Sequence, residues 1–292
     1  MIPIGGNEDK GSGRDENYNL DFIEQGILSH VVRESGGVSA EIIVVPTASR
    51  IPVEVANNYL KAFQKLGCNN VRIAQIKSKK EAENPEYLDW LRRADCVMFS
   101  GGDQSKISKR IGETTFHSIL KDRYTNDNLV VAGTSAGAMA MAEEMIAGGS
   151  STEAFFKGAV QMKKGLGLLK DLIIDTHFIQ RGRFGRLTEA VARHPNKLGI
   201  GLAEDTGLII RDGCHCTVIG SGMVIVFDAS KVTHNNEKIL EEGIPMTLVG
   251  LEVHVLSDGD TLNTITRKVK ALPLDVPFGS GKSVLRKGLA YD

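Results

Sequence analysis

The sequence predicts an α/β protein with a mostly parallel sheet, helices on both faces and a β-rich C-terminal part. Three observations lead to this fold class. In the first half, short apolar runs alternate with segments of helical spacing. These runs are continuously apolar, as strands buried on both faces are. Beyond residue 198 the pattern is mostly of strands, some separated by turns such as Asp212-Gly213.

The N-terminal elements alternate regularly. A short strand at residues 2–4 precedes a polar loop and a helix around residues 22–32, which ends at Gly36-Gly37. Further strands are expected at 41–45, 71–76, 96–99 and 129–132, and helices at 56–66, 85–91, 107–111 and 115–120. Because ligands of parallel sheets bind outside the carboxyl ends of the strands, the residues that follow each strand are the candidate site residues.

The strand at 129–132 runs into Gly133-Thr134-Ser135-Ala136-Gly137, and an alanine- and methionine-rich run follows. A Gly-x-Ser-x-Gly pattern between strand and helix is typical of a nucleophile elbow, whose tight turn exposes the serine hydroxyl. Glycine suits Gly133 and Gly137 because side chains there would collide with the returning backbone. The alternative is an ordinary junction that contains a serine, so the hypothesis depends on a base and an acid elsewhere.

Composition narrows the function classes. The 292 residues carry a net charge of −1, which argues against nucleic acid and anionic membranes as partners. No apolar run approaches the roughly 20 residues of a membrane span. Cys214-His215-Cys216 has no second ligand pair, so we predict no metal site and reduced cysteines in a cytoplasmic protein. No signal peptide is visible, although the abrupt start leaves a removed leader as an alternative.

The second half of the sequence differs from the first in composition and pattern. Residues 147–167 are rich in glycine and serine, a strand at 172–174 leads into Asp175-Thr176-His177, and helical spacing covers 183–193. We expect a single domain over residues 1–270 and a C-terminal tail at 271–292. The tail contains Gly279-Ser280-Gly281-Lys282-Ser283, but Val276 stands where a phosphate loop needs its first glycine, so a flexible tail is the better interpretation.

A serine nucleophile needs a base, and His177 is the best candidate of the seven histidines. It follows a predicted strand inside a dense polar cluster. Arg181, Arg183 and Arg186 lie close behind it, and three such guanidiniums repel one another unless anions lie among them. We therefore predict a substrate with free carboxylates; a solvated helix N-terminus is the alternative.

Two glutamates compete as the acid that orients His177. Glu204 follows the strand at 198–203, again at a carboxyl end, and this placement favours it. Glu153 lies eighteen residues after Ser135 and would then serve the pocket wall or the substrate. Asp175 is a weaker third candidate because it is only two residues from His177. The sequence leaves the choice open.

An oxyanion hole is expected beside the serine. The backbone N–H of Ala136 would supply one donor, and Gly101 or Gly102, which follow the strand at 96–99, would supply the other. Gln104 follows the same strand and is placed to bond a substrate amide or carboxylate.

These motifs resemble the cyanophycinase family of serine peptidases, which includes aspartyl dipeptidases. The matching segments span nearly the whole chain in order: Ile4 to Lys10, Gly101-Gly102-Asp103-Gln104, Gly133 to Ala138, Met145 to Ser151, Asp175-Thr176-His177-Phe178, and Glu204-Asp205-Thr206. The resemblance implies a class I glutamine-amidotransferase-like fold and a homodimer. An amidotransferase itself is disfavoured because its nucleophile would be cysteine.

The resemblance also implies an activity. The family hydrolyses cyanophycin, a poly-aspartate backbone with arginine on each side-chain carboxyl, to β-Asp-Arg dipeptides. It implies Ser135 as nucleophile and His177 as base, with either Glu153 or Glu204 as the acid. Positions that line the family's substrate pocket are matched by Gln104, Asp175, Arg181, Arg183 and Arg186.

Thr176 departs from the family, in which glutamine commonly precedes the histidine. A shorter side chain beside the base is expected to widen or retune the pocket. The alternative activities are therefore hydrolysis of other aspartyl or isoaspartyl peptides, or binding without turnover. No cofactor is expected for any of these.

Overall fold

The structure is a computed structural model, which describes residues 1–12, 20–149 and 155–272. The helices are α1 (Ile27–Glu34), α2 (Pro52–Lys65), α3 (Pro85–Arg93), α4 (Gln104–Ile111), α5 (Thr115–Asn126), α6 (Ala136–Ala140) and α7 (Phe184–Arg193). The strands are β1 (Ile2–Ile4), β2 (Ile42–Val45), β3 (Val71–Ile73), β4 (Cys96–Phe99), β5 (Val130–Thr134), β6 (Glu144–Gly149), β7 (Val160–Lys164), β8 (Leu172–Asp175), β9 (Leu198–Leu202), β10 (Thr206–Arg211), β11 (His215–Gly220), β12 (Val224–Asp228), β13 (His234–Asn235), β14 (Leu248–Val249), β15 (Glu252–Leu256), β16 (Thr261–Asn263) and β17 (Lys268–Lys270).

A nine-stranded sheet organises the fold, in the order β17-β16-β11-β10-β1-β5-β4-β2-β3. The five strands from β1 to β3 in this order pair in parallel. The β-rich C-terminal part adds the other four strands antiparallel, beginning with β10 beside β1. The predicted α/β class is confirmed, and the parallel half is the half that the N-terminal alternation predicted.

Both faces of this sheet are covered. On β2, Ile43 and Val45 pack in one apolar cluster, whereas their neighbours Ile42 and Val44 pack in another. Adjacent residues of a strand point to opposite faces, so a continuously apolar run needs cover on both. Helices α1 and α2 cover one face, while α3, α4, α5 and the second sheet belong to the other cluster.

The second sheet has the order β15-β12-β9-β8, with only β8 and β9 parallel. Helix α7 packs against it. The glycine-rich segment after α6 forms the antiparallel pair β6 and β7, which the sequence did not predict as strands. In the part of the chain that the structure describes, no helix combines the length and apolar character that a bilayer crossing requires.

The tail expected at residues 271–292 lies almost wholly outside the described residues, including the Gly279 to Ser283 segment.

Candidate active site

Ser135 occupies the turn between β5 and α6, with φ 50° and ψ −112°. Positive φ in a non-glycine residue is strained, and such strain is concentrated at functional sites. The turn is possible because the flanking positions lack side chains. A β-carbon on Gly137 would lie 2.5 Å from the carbonyl oxygen of Phe99, and one on Gly133 would lie 2.8 Å from the carbonyl carbon of Gly137. The predicted elbow is therefore present.

The structure brings a histidine and a carboxylate to this serine. Ser135 Oγ lies 2.9 Å from His177 Nε2, and His177 Nδ1 lies 2.6 Å from Glu204 Oε1. His177 follows β8 and Glu204 follows β9, so each comes from the carboxyl end of a different strand of the second sheet. The other oxygen of Glu204 accepts from the Asn7 amide at 3.3 Å. Glu153, the competing acid, lies outside the described residues.

The loop after β1 holds these segments in register. Three consecutive carbonyl oxygens, from the last residue of β1 and the first two of this loop, accept hydrogen bonds from three backbone N–H groups of the site. The pairs are Ile4 with Ser135 at 2.9 Å, Gly5 with His177 at 2.8 Å, and Gly6 with Asp205, the residue after Glu204, at 2.9 Å. The end of β1 and the loop after it therefore connect the segments that carry Ser135, His177 and Glu204 through main-chain hydrogen bonds.

A cavity of about 560 Å³ opens beside Ser135. Its wall combines the β1 loop, helix α2 and the Gly101-Gly102 loop with the residues around Ser135 and His177. Four cationic side chains line it, namely Lys10, Lys61, Lys65 and Arg181. Such a lining favours substrates that carry carboxylates.

Glu8 is a fully buried carboxylate in the same cavity wall. It pairs with Lys10 Nζ at 3.2 Å and accepts hydrogen bonds from the hydroxyls of Tyr59 and Thr134, the residue before the nucleophile. Burial raises the pKa of the Glu8 carboxyl, but Lys10 and the two hydroxyls outweigh it, so the net pKa is lowered. Glu8 and Tyr59 lie 51 positions apart in the sequence, so no local pattern predicts their contact.

The imidazole of His177 is suited to act as a base. Burial lowers the pKa of His177 and the Arg181 charge lowers it further, against the raising effect of the hydrogen bond to Glu204. The net pKa is lowered, so the imidazole is neutral at neutral pH. A neutral ring with Nδ1–H donated to a carboxylate presents an unprotonated Nε2 to the serine hydroxyl.

The arginine cluster differs from the expectation. Asp175, which is fully buried, accepts from Arg186 Nε at 2.6 Å and from Arg183 Nη1 at 3.1 Å. The chain itself therefore supplies an anion to Arg183 and Arg186. Only Arg181 of the three lines the cavity.

Two further predicted binding residues point elsewhere in this structure. Thr176 is fully buried and its hydroxyl contacts Met139 Sδ at 3.4 Å, so its short side chain does not face the cavity. The Gln104 amide donates to the carbonyl oxygen of Ile146 at 2.8 Å, which ties α4 to β6. Neither residue is among those that line the cavity.

The segments predicted to supply the oxyanion donors lie beside the serine. Gly101 and Gly102 line the cavity with Ser135, and a β-carbon on Gly101 would lie 3.4 Å from Ser135 Cβ. Ala136 begins α6, and the first N–H groups of a helix have no acceptor within it. Across the described ranges, no group of three or more His, Cys, Asp or Glu side chains is arranged to hold a metal ion.

Comparisons with known proteins identify the family of the chain. The profile of peptidase family S51 matches residues 11–218. The chain is 36% identical over 269 residues to a cyanophycinase of Trichormus variabilis, covering 92% of this chain and 87% of that protein. It is 31% identical over 271 residues to a cyanophycinase of Geminocystis herdmanii, covering 93% and 96%.

A solved structure has the same fold. The crystal structure of a peptidase from an acI-B1 Actinobacterium superposes with a TM-score of 0.59 at 19% identity, covering 90% of this chain and 95% of that one. The profile covers most of the chain and the relatives nearly all of it, so the family predicted from the motifs is confirmed. The chain belongs to peptidase family S51 and is a serine-type peptidase.

Proposed function

We propose that this peptidase hydrolyses cyanophycin to β-Asp-Arg dipeptides through an acyl-enzyme on Ser135. The observation that carries the proposal is the hydrogen-bonded series from Ser135 through His177 to Glu204, which opens on a cavity lined by cations. The cyanophycinases of Trichormus variabilis and Geminocystis herdmanii support the choice of substrate. The side chain of each unit of that polymer ends in an arginine, whose α-carboxylate is free. The cations of the cavity are complementary to this carboxylate.

Acylation begins when Ser135 Oγ attacks the backbone carbonyl carbon of an aspartyl unit. His177 Nε2 takes the hydroxyl proton, and Glu204 stabilises the imidazolium that forms. The backbone N–H groups of Gly102 and Ala136 donate to the developing oxyanion. When the carbon–nitrogen bond breaks, His177 returns its proton to the leaving amine, and the carbonyl carbon remains esterified to Ser135.

Deacylation repeats these steps with water. His177 takes a proton from the attacking water, the ester bond to Ser135 breaks, and the proton passes to the serine oxygen. The product is a free carboxylate, and the enzyme returns to its starting state. Glu204 acts through His177 in both halves, holding the ring with Nε2 toward the serine.

For substrate binding, Arg181 is the cluster residue that the cavity favours most, because its side chain lines the wall beside His177. Gln104, Thr176, Arg183, Arg186 and Asp175 would contribute indirectly, by shaping the segments around His177 and the Gly102 loop. We infer that the chain acts as a cytoplasmic homodimer of single domains over residues 1–270, for which light scattering of the purified protein is the direct measurement of subunit number.

Product analysis tests the activity. Purified protein incubated with cyanophycin should release β-Asp-Arg dipeptides detectable by mass spectrometry, and Ser135→Ala should abolish release while keeping the thermal unfolding midpoint of the parent. Cleavage of aspartyl or isoaspartyl dipeptides with the polymer untouched would replace this proposal with the related peptidase activity. Full activity of Ser135→Ala would overturn the mechanism.

A further inference from the structure

A second cavity of about 540 Å³ adjoins the first along helix α2. The two share Asn58 and Lys61 as lining residues. The remaining wall of the second cavity is formed by the start of the helix and the residue before it, namely Ile51, Pro52, Val53, Glu54 and Asn57. A continuous groove therefore leads away from Ser135 over the surface of α2.

One face of α2 forms the floor of this groove. Glu54, Asn58, Lys61 and Lys65 are spaced by four, three and four residues, which places them on the same side of a helix. From the first to the last, the helix rises by about 16 Å at 1.5 Å per residue. An extended chain advances about 3.3–3.6 Å per residue, so this face spans roughly four or five backbone units.

The charged side chains along this face differ in whether they form hydrogen bonds or ion pairs in the described ranges. Lys65 donates to the carbonyl oxygen of Gly11, and Lys10, which also lines the first cavity, pairs with Glu8. Lys61 and Glu54 are exposed, and within the described ranges neither side chain forms a hydrogen bond or an ion pair. Lys61 and Glu54, a cation and an anion without a partner in the described ranges, therefore lie two helical turns apart, about 10 Å along the helix.

A cyanophycin side chain carries both complementary groups, an α-carboxylate and a guanidinium, on every unit. We propose that the α2 groove is an extended subsite that binds the arginyl side chains of polymer units beyond the cleaved one, with Lys61 binding a carboxylate and Glu54 a guanidinium. The exposed Ile51 and Val53 would contact the aliphatic part of these side chains. This inference rests on the proposed function, because it takes cyanophycin as the occupant.

The test compares substrates of different length. The variants Lys61→Gln and Glu54→Gln are assayed on a two-unit oligomer, which reaches only the cleavage site, and on a six-unit oligomer. Lys121→Gln is the matched control, because it makes the same substitution as Lys61→Gln at an exposed position of helix α5 that lines neither cavity.

We expect each groove variant to raise KM for the six-unit oligomer about two- to five-fold, the size of one exposed ion pair, with kcat unchanged. KM for the two-unit oligomer should stay at the parent value in Glu54→Gln, because Glu54 lines only the second cavity. Lys61 lines both cavities, so Lys61→Gln should raise KM for both lengths, and more for the six-unit oligomer. The control Lys121→Gln should change KM for neither. Equal effects on both lengths, or none on the longer one, would overturn the subsite. Failure of the parent enzyme to cleave either oligomer would instead overturn the proposed function, so the two failures are distinct.

Discussion

The imidazole of His177 packs directly on Gly6: a β-carbon added to Gly6 would lie 2.4 Å from His177 Cε1 and 2.5 Å from Nε2. Gly6 has φ +107°, and its carbonyl accepts from the backbone of Asp205. The absence of a side chain at this glycine is therefore part of the geometry that places His177 against Ser135.

Gly6→Ala should lower kcat about a hundredfold, because displacing a base by about 1 Å has an effect of that size. Gly36→Ala is the matched control: Gly36 also has a positive φ, +96°, but no atom lies within 4 Å of its added β-carbon. Both variants should lose about 1–2 kcal/mol of stability from backbone strain. Steady-state kinetics measures kcat, and thermal unfolding measures stability. Equal losses of kcat in the two variants would refute the steric argument.

Glu204→Gln should reduce kcat by about a thousandfold or more with little change in KM, because a neutral amide neither fixes the Nδ1–H tautomer nor stabilises the imidazolium. Glu153→Gln should retain most of the parent activity. Steady-state kinetics on the same substrate compares the two variants. The reverse pattern would assign the role to Glu153 and would contradict the 2.6 Å contact as the functional one.

Arg181→Gln should move the acidic limb of the kcat/KM profile to higher pH. The Arg181 charge lowers the pKa of His177, although burial is the larger cause, so removing that charge raises the pKa. The base must be neutral, and a higher pKa means that it becomes neutral only at higher pH. Arg181→Lys, which keeps the charge, should leave the midpoint in place; a matching shift in both variants would exclude an electrostatic cause.

Asp175→Asn should destabilise the fold by about 3–5 kcal/mol, because it leaves the buried Arg186 and the half-buried Arg183 without their shared anion. Asp89→Asn removes a carboxylate that pairs with Arg93 at 2.7 Å on an exposed helix surface, and should cost less than about 1 kcal/mol. Urea unfolding measures both. A small loss of stability in Asp175→Asn would contradict a structural role for these ion pairs and would favour substrate binding by the arginine cluster.

Local sequence patterns predicted many of the candidate site residues. The elbow was predictable because a buried strand, two glycines and a serine determine a tight turn within five residues. His177 and Glu204 were predictable because each directly follows an apolar strand, and the carboxyl ends of parallel strands meet at one edge. The β6–β7 pair was missed because its glycine-rich segment lacks strand-like apolar alternation.

By itself, the sequence determined the α/β class, the family motifs and the candidates Ser135, His177 and Glu204. Only the tertiary structure showed that Asp175 neutralises Arg183 and Arg186, that Glu8 lies buried in the cavity wall, and that the β1 loop connects the segments of the site. The physical reason is that spacing along the chain governs local backbone geometry, whereas the partner of a charged side chain is whichever group the packed fold brings within hydrogen-bond distance. The side chains of Ser135, His177 and Glu204, which local sequence patterns predicted as candidates, also lie within hydrogen-bond distance in the folded chain. For the arginine cluster, only the tertiary structure shows which anion pairs with Arg183 and Arg186.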